Sequence, residues 1–290
     1  EHSNPKLENG CCIIVFFSTI VSNKAVMNFA RYLNIDKVAL SLVSVSAVCI
    51  LGEAVTRTNL SDAQNPKDCR YPPLSNVITE AHVRELEEKS VVIIHDILSA
   101  PILQGARENV KGLSKVMNAS NHQNDSDIRQ DQILSIREND TLPHGDDLIH
   151  CIKLLRGIPF ILERFEYATS RSRVVPRQCQ LARYLPDGSA YVRHVDRCNF
   201  ALSEMGLLGW LRSSDYRHRT VTAILYLNAP QWKSGGELRL FDKDDETHKD
   251  VIPNGGKLII FDSAKVEHQV LASQKDRYAL TCWFNGDMLE

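Results

Sequence analysis

From Gln178 onward the chain is a series of short alternating runs. They are Thr220–Asn228, Glu237–Phe241, Lys257–Phe261 and Tyr278–Phe284, divided by Ser234-Gly235-Gly236 and Asn254-Gly255-Gly256. Alternation of apolar and polar side chains marks half-buried strands, and glycine pairs between them mark tight reversals. The stretch before them has a different period. Thr79–Lys89 is helical in character, and Val91–Ile94 is a β-branched run typical of a buried strand. Ser99 then caps a helix with Pro101 in its first turn, on which Leu103, Ala106, Val110, Leu113 and Met117 form one apolar stripe. Asn118–Thr141 is polar and reads as a flexible excursion. A further helix is predicted over Asp146–Arg156, ending before Pro159, with a short second one through Phe165. Helices leading into many short strands predict a mainly β, α+β fold with a jelly-roll-like double sheet.

The chain has 290 residues, 43% of them hydrophobic, enough to bury a sizeable core, as one large domain or a domain plus an appendage. Its formal charge of -2 carries no polybasic signature and excludes the usual profile of a nucleic-acid-binding protein. The eight cysteines contain no Cys-x-x-Cys pair, so neither a zinc knuckle nor a redox motif is indicated, and those beyond the leader read as buried thiols.

Residues 1–54 read as a leader with the features of a signal peptide or anchor. Two apolar runs, Cys11–Val21 and Val38–Leu51, are each shorter than the roughly 20 residues that span a bilayer. Starting from Met27, a short segment with Arg31 and Lys37 precedes the second run, and Gly52-Glu53-Ala54 then supplies a small-x-small cleavage pattern. Sequons at Asn59, Asn118, Asn124 and Asn139 point the same way. Together they favour the secretory pathway or endoplasmic reticulum. Residues 55–74 read as a linker. Residues 75–290 read as the working domain, with helical support over 75–170 and the β core over 178–286.

The chemistry concentrates at LARYLPDGSAYVRHVD, residues 181–196. His194 and Asp196 are two apart in a strand-like run, so both project to one face. They make two legs of a 2-His-1-carboxylate site, which holds non-haem Fe(II) with positions left open. His-x-Asp occurs three times, at His144, His194 and His248. The first is read as part of a helix N-terminus opened by Asp146 and Asp147, the last as part of a solvated loop. The third ligand must come from another strand end, and His268, just past Leu258–Phe261, fits. Arg277 opens the last strand, where alternation places Arg277, Ala279, Thr281 and Trp283 on one face. A buried guanidinium demands an anion, and its planar fork suits a carboxylate. Tyr226, on a common face with Ile224, can offer the same anion a phenol hydrogen bond.

RYLPDGSAYVRHVD, TAILYLN, SGGELRLF, the pair GGKLIIF and EHQV, and DRYALTCWF together resemble the Fe(II)/2-oxoglutarate-dependent prolyl hydroxylases, most of all the hypoxia-inducible-factor type. The resemblance covers roughly Val77–Phe284. It implies a double-stranded β-helix with Fe(II) on His194, Asp196 and His268. Arg277, helped by Tyr226, takes the distal carboxylate of 2-oxoglutarate. Tyr184 lies along the co-substrate, and Ile224, Leu238, Thr281 and Trp283 line its pocket. The implied reaction consumes O2, hydroxylates a prolyl residue in a protein or peptide, and releases succinate and CO2, with ascorbate as accessory reductant. Arg277 points away from the collagen-type branch, where a lysine stands. The alternatives are an oxygenase of this fold acting on another side chain or a small molecule, a non-catalytic β-helix binding module, and a cupin-like metalloprotein. Two features depart from the resemblance. Arg197–Arg219 is longer than expected and carries Leu207, Leu208, Trp210 and Leu211, suited to a lid or a cover for a sheet edge. The leader is the other, since the hypoxia-type enzymes are cytoplasmic or nuclear.

Overall fold

The computed structural model describes residues 74–119, 129–137, 140, 145–167, 178–197, 218–242 and 247–286. The leader, most of the linker, Asn59, Asn124, Asn139, His144 and positions 198–217 of the long segment after Asp196 lie outside the described residues. Asn118 is described, and it is exposed.

A single 3-10 turn, Leu74–Asn76, leads into α1 (Glu80–Lys89). Thr79 caps α1 by accepting the His82 amide on its hydroxyl, and its own amide donates in return to His82 Nδ1, which satisfies two amides that the helix cannot. Next come β1 (Val91–Ile94) and α2 (Ala100–Leu113), whose apolar stripe Leu103, Ala106, Val110 and Leu113 is buried, as is Met117 beyond its end. The excursion after α2 departs from its expectation as a flexible loop. It contains β2 (Asn118–Ala119) and β3 (Gln132–Arg137), because Ile133 and Leu134 find partners on β4, in Ala182 and Leu181.

The predicted break at Pro159 does not occur. One helix, α3 (Asp146–Arg164), runs through the proline. A proline here removes one backbone hydrogen bond and crowds the preceding turn. Leu155, Ile158, Ile161 and Leu162 are all buried around it, and their packing outweighs that loss. Asp146 and Asp147 occupy the first turn, where the helix dipole favours negative charge, while Gly145 is the capping residue.

The remaining strands are β4 (Gln178–Tyr184), β5 (Tyr191–His194), β6 (Arg219–Tyr226), β7 (Leu238–Phe241), β8 (His248–Val251), β9 (Leu258–Asp262), β10 (Glu267–Val270) and β11 (Arg277–Asn285). Every pairing is antiparallel. The larger sheet runs β1-β9-β6-β11-β4-β3-β2 and the smaller β5-β10-β7-β8. This is the expected jelly-roll architecture with helices on one side. The outer face of the larger sheet, including Leu181, Val221, Ala223, Leu225, Leu280 and Phe284, packs under α3, which α2 backs in turn, while α1 lies on β1 and β9. Its inner face joins the smaller sheet around Tyr184, Ile224, Tyr226, Leu238, Ile259, Phe261 and Ala279. His248-Lys249-Asp250, expected in a loop, is the exposed edge strand β8, held by the bidentate pair of Arg239 with Asp250. Among the described residues, no helix is long and apolar enough to cross a membrane.

Candidate active site

His194 closes β5 and His268 lies within β10. The two residues are direct cross-strand partners, and their rings stand 4.2 Å apart. Asp196 reaches them differently from the expectation. It lies past the end of β5, so the turn after the strand, rather than strand alternation, carries its carboxylate inward. Likewise His268 is inside a strand rather than just beyond one. The ligating atoms of His194, Asp196 and His268 all lie within 4.8 Å of one another, near enough to share one ion.

Each imidazole is aimed by its own backbone. His194 Nδ1 lies 2.7 Å from the Val192 carbonyl, and His268 Nδ1 3.2 Å from that of Val266. A carbonyl can only accept, so Nδ1 carries the proton on both rings and each Nε2 keeps its lone pair for a metal. Tyr191 stacks on His194 at 3.7 Å, and Phe261 meets His268 edge-on at 4.9 Å. Asp196 Oδ2 accepts a hydrogen bond from Thr222 Oγ1 at 2.7 Å, and Ser263 Oγ lies 2.8 Å from that hydroxyl. Oδ1 is thereby the oxygen turned toward His194, at 3.7 Å from its Nε2.

The electrostatics suit a cation. Burial alone would raise the Asp196 pKa, but the two imidazoles and Arg219 outweigh it and hold the carboxyl well below the usual range. Desolvation, with His194 adding to it, pushes His268 down to about 4, so the ring is neutral and ligand-ready at physiological pH.

Arg277 lies at the other end of the same interior and is 1% exposed. Its Nε donates to the Gly236 carbonyl at 2.7 Å, and its guanidinium sits 4.9 Å from the Tyr184 ring centre and 5.0 Å from that of Tyr226. No carboxylate among the described residues pairs with it. Burial keeps the Tyr226 phenol protonated despite the nearby guanidinium, and its Oη is buried without a hydrogen-bond partner. An unpaired guanidinium beside an unpartnered hydroxyl is costly unless an anion joins them, and a carboxylate satisfies both. Gly236 makes room for this arrangement: its φ is +73°, and a Cβ there would stand 2.8 Å from Arg277 Cδ.

The other candidate residues share this interior. Tyr184 lies opposite Arg277 across the strand pair, Ala279 opposite Tyr226, and Thr281 opposite Ile224. Leu238 is fully buried among them. Trp283 lies opposite Thr222, with the Arg219 guanidinium 4.1 Å from its ring and its own Nε1 buried without a partner. The residues thus fit both a divalent ion with oxygen and nitrogen ligands and a neighbouring dicarboxylate.

Sequence reasoning missed four contributors. Thr222 and Ser263 are ordinary strand residues until their hydroxyls are seen on Asp196. Asp131 and Arg129 fall in the polar excursion. Asp131 is buried, binds Arg129 by two hydrogen bonds of 2.5 and 2.8 Å, and so fixes a guanidinium 5.0 Å from the ring of Tyr191. Their only signal is the short Arg-x-Asp spacing, which has no specificity.

Comparison with known proteins gives the same picture. Residues 179–285 match the model of the 2OG-Fe(II) oxygenase superfamily. Egl nine homolog 1 of Rattus norvegicus is 33% identical over 111 residues, which are 37% of this chain but only 28% of that protein. The crystal structure of a Pseudomonas putida prolyl-4-hydroxylase is 26% identical with a TM-score of 0.56, covering 72% of this chain and 99% of that one. A prolyl hydroxylase from Trichoplax adhaerens, solved with a hypoxia inducible factor oxygen degradation domain peptide fragment, shares the fold. It has a TM-score of 0.56 at 23% identity and covers 73% of this chain and 89% of its own. The core over residues 179–285 is thus similar to the 2OG-Fe(II) oxygenase superfamily, and the chain resembles prolyl hydroxylases.

Proposed function

We propose that this chain is an Fe(II)- and 2-oxoglutarate-dependent dioxygenase that hydroxylates a prolyl residue in a protein or peptide, releasing succinate and CO2. The observation that carries the reading is the pairing, in one interior, of the His194–Asp196–His268 cluster with the buried Arg277 and the unpartnered Tyr226 hydroxyl. When bound, iron and 2-oxoglutarate supply oxygen activation and the oxidation of an unactivated C–H bond.

The chain's part is to hold and to orient. His194 Nε2, Asp196 Oδ1 and His268 Nε2 would hold the metal, leaving other positions for co-substrate and O2. Thr222 keeps Asp196 Oδ2 occupied, so the carboxylate offers one oxygen rather than two. Arg277 and Tyr226 would grip the distal carboxylate of 2-oxoglutarate, the guanidinium by its fork and the phenol as a donor. Tyr184, Ile224, Leu238, Thr281 and Trp283 form the wall that excludes water and fixes the co-substrate's direction. The likeness to prolyl hydroxylases supports a proline-bearing peptide as substrate and ascorbate as reductant. The leader and sequons support a secretory-pathway location.

Incubating the chain with Fe(II), 2-oxoglutarate and a proline-bearing peptide library tests the reading. A gain of one oxygen on a prolyl residue, in step with succinate, is the expected result. Succinate without modified peptide in any library would overturn the prolyl assignment. Neither product from metal-loaded protein would overturn the enzyme reading.

A further inference from the structure

A cavity of about 630 Å³ opens away from the His-Asp-His cluster, between the C-terminal half of α2, the turn after β6 and the turn before β11. Its lining contains none of the residues assigned to the active site. What distinguishes it is charge. Arg107, Lys111, Lys233 and Lys275 all border it, against one carboxylate, Asp276. That carboxylate is already engaged, accepting two hydrogen bonds from Arg183 and one from the Tyr278 hydroxyl. None of the four cations has a side-chain hydrogen bond or ion pair among the described residues.

Ordinary causes account for one of them. Lys111 lies in the last turn of α2, where the helix dipole favours a cation by itself. Arg107 is half-buried, Lys233 and Lys275 are exposed, and the three come from three separate segments of the chain. Two of those segments are tied together. The Ser234 carbonyl accepts from Ser273 Oγ at 3.2 Å and from the Gln274 amide at 2.7 Å. Beneath them Asn228 accepts the Tyr278 amide at 2.7 Å and donates to the Pro253 carbonyl at 2.8 Å. The cations therefore surround a fixed hollow.

We propose that this cavity is a binding site for a small organic polyphosphate of nucleotide size. Its volume lies within the roughly 300–1,000 Å³ common for small-molecule sites. Lysines are compact point charges suited to phosphate, and Arg107 adds a two-pronged donor. Trp232 and Tyr278, which also line the hollow, supply an aromatic wall for the organic portion. A concave site of this size takes a compact ligand in preference to an extended acidic chain segment.

The test is calorimetric titration of the full chain, without iron or 2-oxoglutarate, using ATP, pyrophosphate and a poly-aspartate peptide as probes. ATP is expected to saturate one site with a Kd of about 100 μM or tighter. Arg107→Gln combined with Lys275→Gln is expected to weaken it at least about tenfold, as the loss of charge-assisted contacts requires. Lys249→Gln, on the exposed edge strand of the other sheet, and Arg277→Gln, in the co-substrate pocket, should leave ATP affinity unchanged. Absence of saturation into the millimolar range would overturn the proposal. So would equal weakening by Lys249→Gln, which denotes a general charge effect. Loss confined to Arg277→Gln places the anion in the active site instead and also overturns it. Tighter binding of poly-aspartate than of ATP marks an acidic-peptide surface and defeats the polyphosphate assignment.

Discussion

The two faces of the larger sheet use the same strands for opposite purposes. Along β11, Tyr278, Leu280, Cys282 and Phe284 turn to the helices, and Arg277, Ala279 and Thr281 turn to the interior between sheets. β6 divides in the same manner, with Val221, Ala223 and Leu225 outward and Thr222, Ile224 and Tyr226 inward. The layer between that face and the helices carries three buried cysteines, Cys179 and Cys282 from the sheet and Cys151 from α3, and no ion pair among its described core residues. The inner face holds a guanidinium and two phenols, and the smaller sheet opposite it adds two imidazoles and, from the turn after β5, a carboxylate. Burying those groups is unfavourable unless they meet partners. A sheet can bear that cost on one face because the other face is packed with little polar content. Stability and chemistry are thus separated by one residue step.

Changes in the interior between the sheets should break function and spare the fold. The largest effect is expected for Asp196→Ala or His268→Ala, each of which removes one leg of the metal site. Metal retention and succinate formation should both vanish while the far-ultraviolet spectrum is kept. Retained succinate formation in Asp196→Ala would discredit the cluster as the iron site.

The converse is a change at the helix face. Phe284→Ala removes a fully buried ring and should cost about 3–5 kcal/mol. Denaturant titration should show the loss, with the half-saturating 2-oxoglutarate concentration of the remaining folded protein unaltered. A specific rise in that concentration would erase the division between faces.

Arg277→Lys is subtler. It keeps the charge and loses the fork. The expected penalty of about 1.5–3 kcal/mol corresponds to a rise of tenfold or more in the 2-oxoglutarate requirement. Metal affinity should be untouched, and equal responses of metal and co-substrate would remove the clamp role.

Thr222→Val gives the smallest effect. The side chain keeps its shape and loses the hydrogen bond to Asp196 Oδ2. Losing a hydrogen bond that orients a metal-liganding carboxylate reduces metal affinity by about 10–100-fold. Competition with a chelator measures it, and an affinity equal to wild type would leave Thr222 a packing residue only.

Strands β6, β7, β9 and β11 were legible as short apolar-rich runs cut by glycine turns. His194, His268 and Arg277 were legible because a charged or ligating side chain interrupts such a pattern. Three features were hidden, each for a physical reason. β3 is a six-residue run whose strand character depends on pairing with β4, about fifty positions away. The continuity of α3 depends on packing around Pro159, which local propensity opposes. The Thr222–Ser263 support of Asp196 joins residues 41 positions apart, and neither hydroxyl differs in sequence from one facing water. Asp196 was found by the right spacing for the wrong reason, since it lies beyond the strand.

The two histidines of the cluster follow one local rule: each ring bonds the carbonyl two residues before it, Val192 for His194 and Val266 for His268. Orientation is therefore written twice, in two three-residue phrases that need no knowledge of each other. What neither phrase contains is the alignment of β5 with β10 that brings the rings to 4.2 Å of each other. A slip of one residue between these strands would preserve most of the ladder and turn one imidazole out to solvent. The tripeptides are portable to another scaffold, whereas the centre they form is not, because its address is the pairing of two strands.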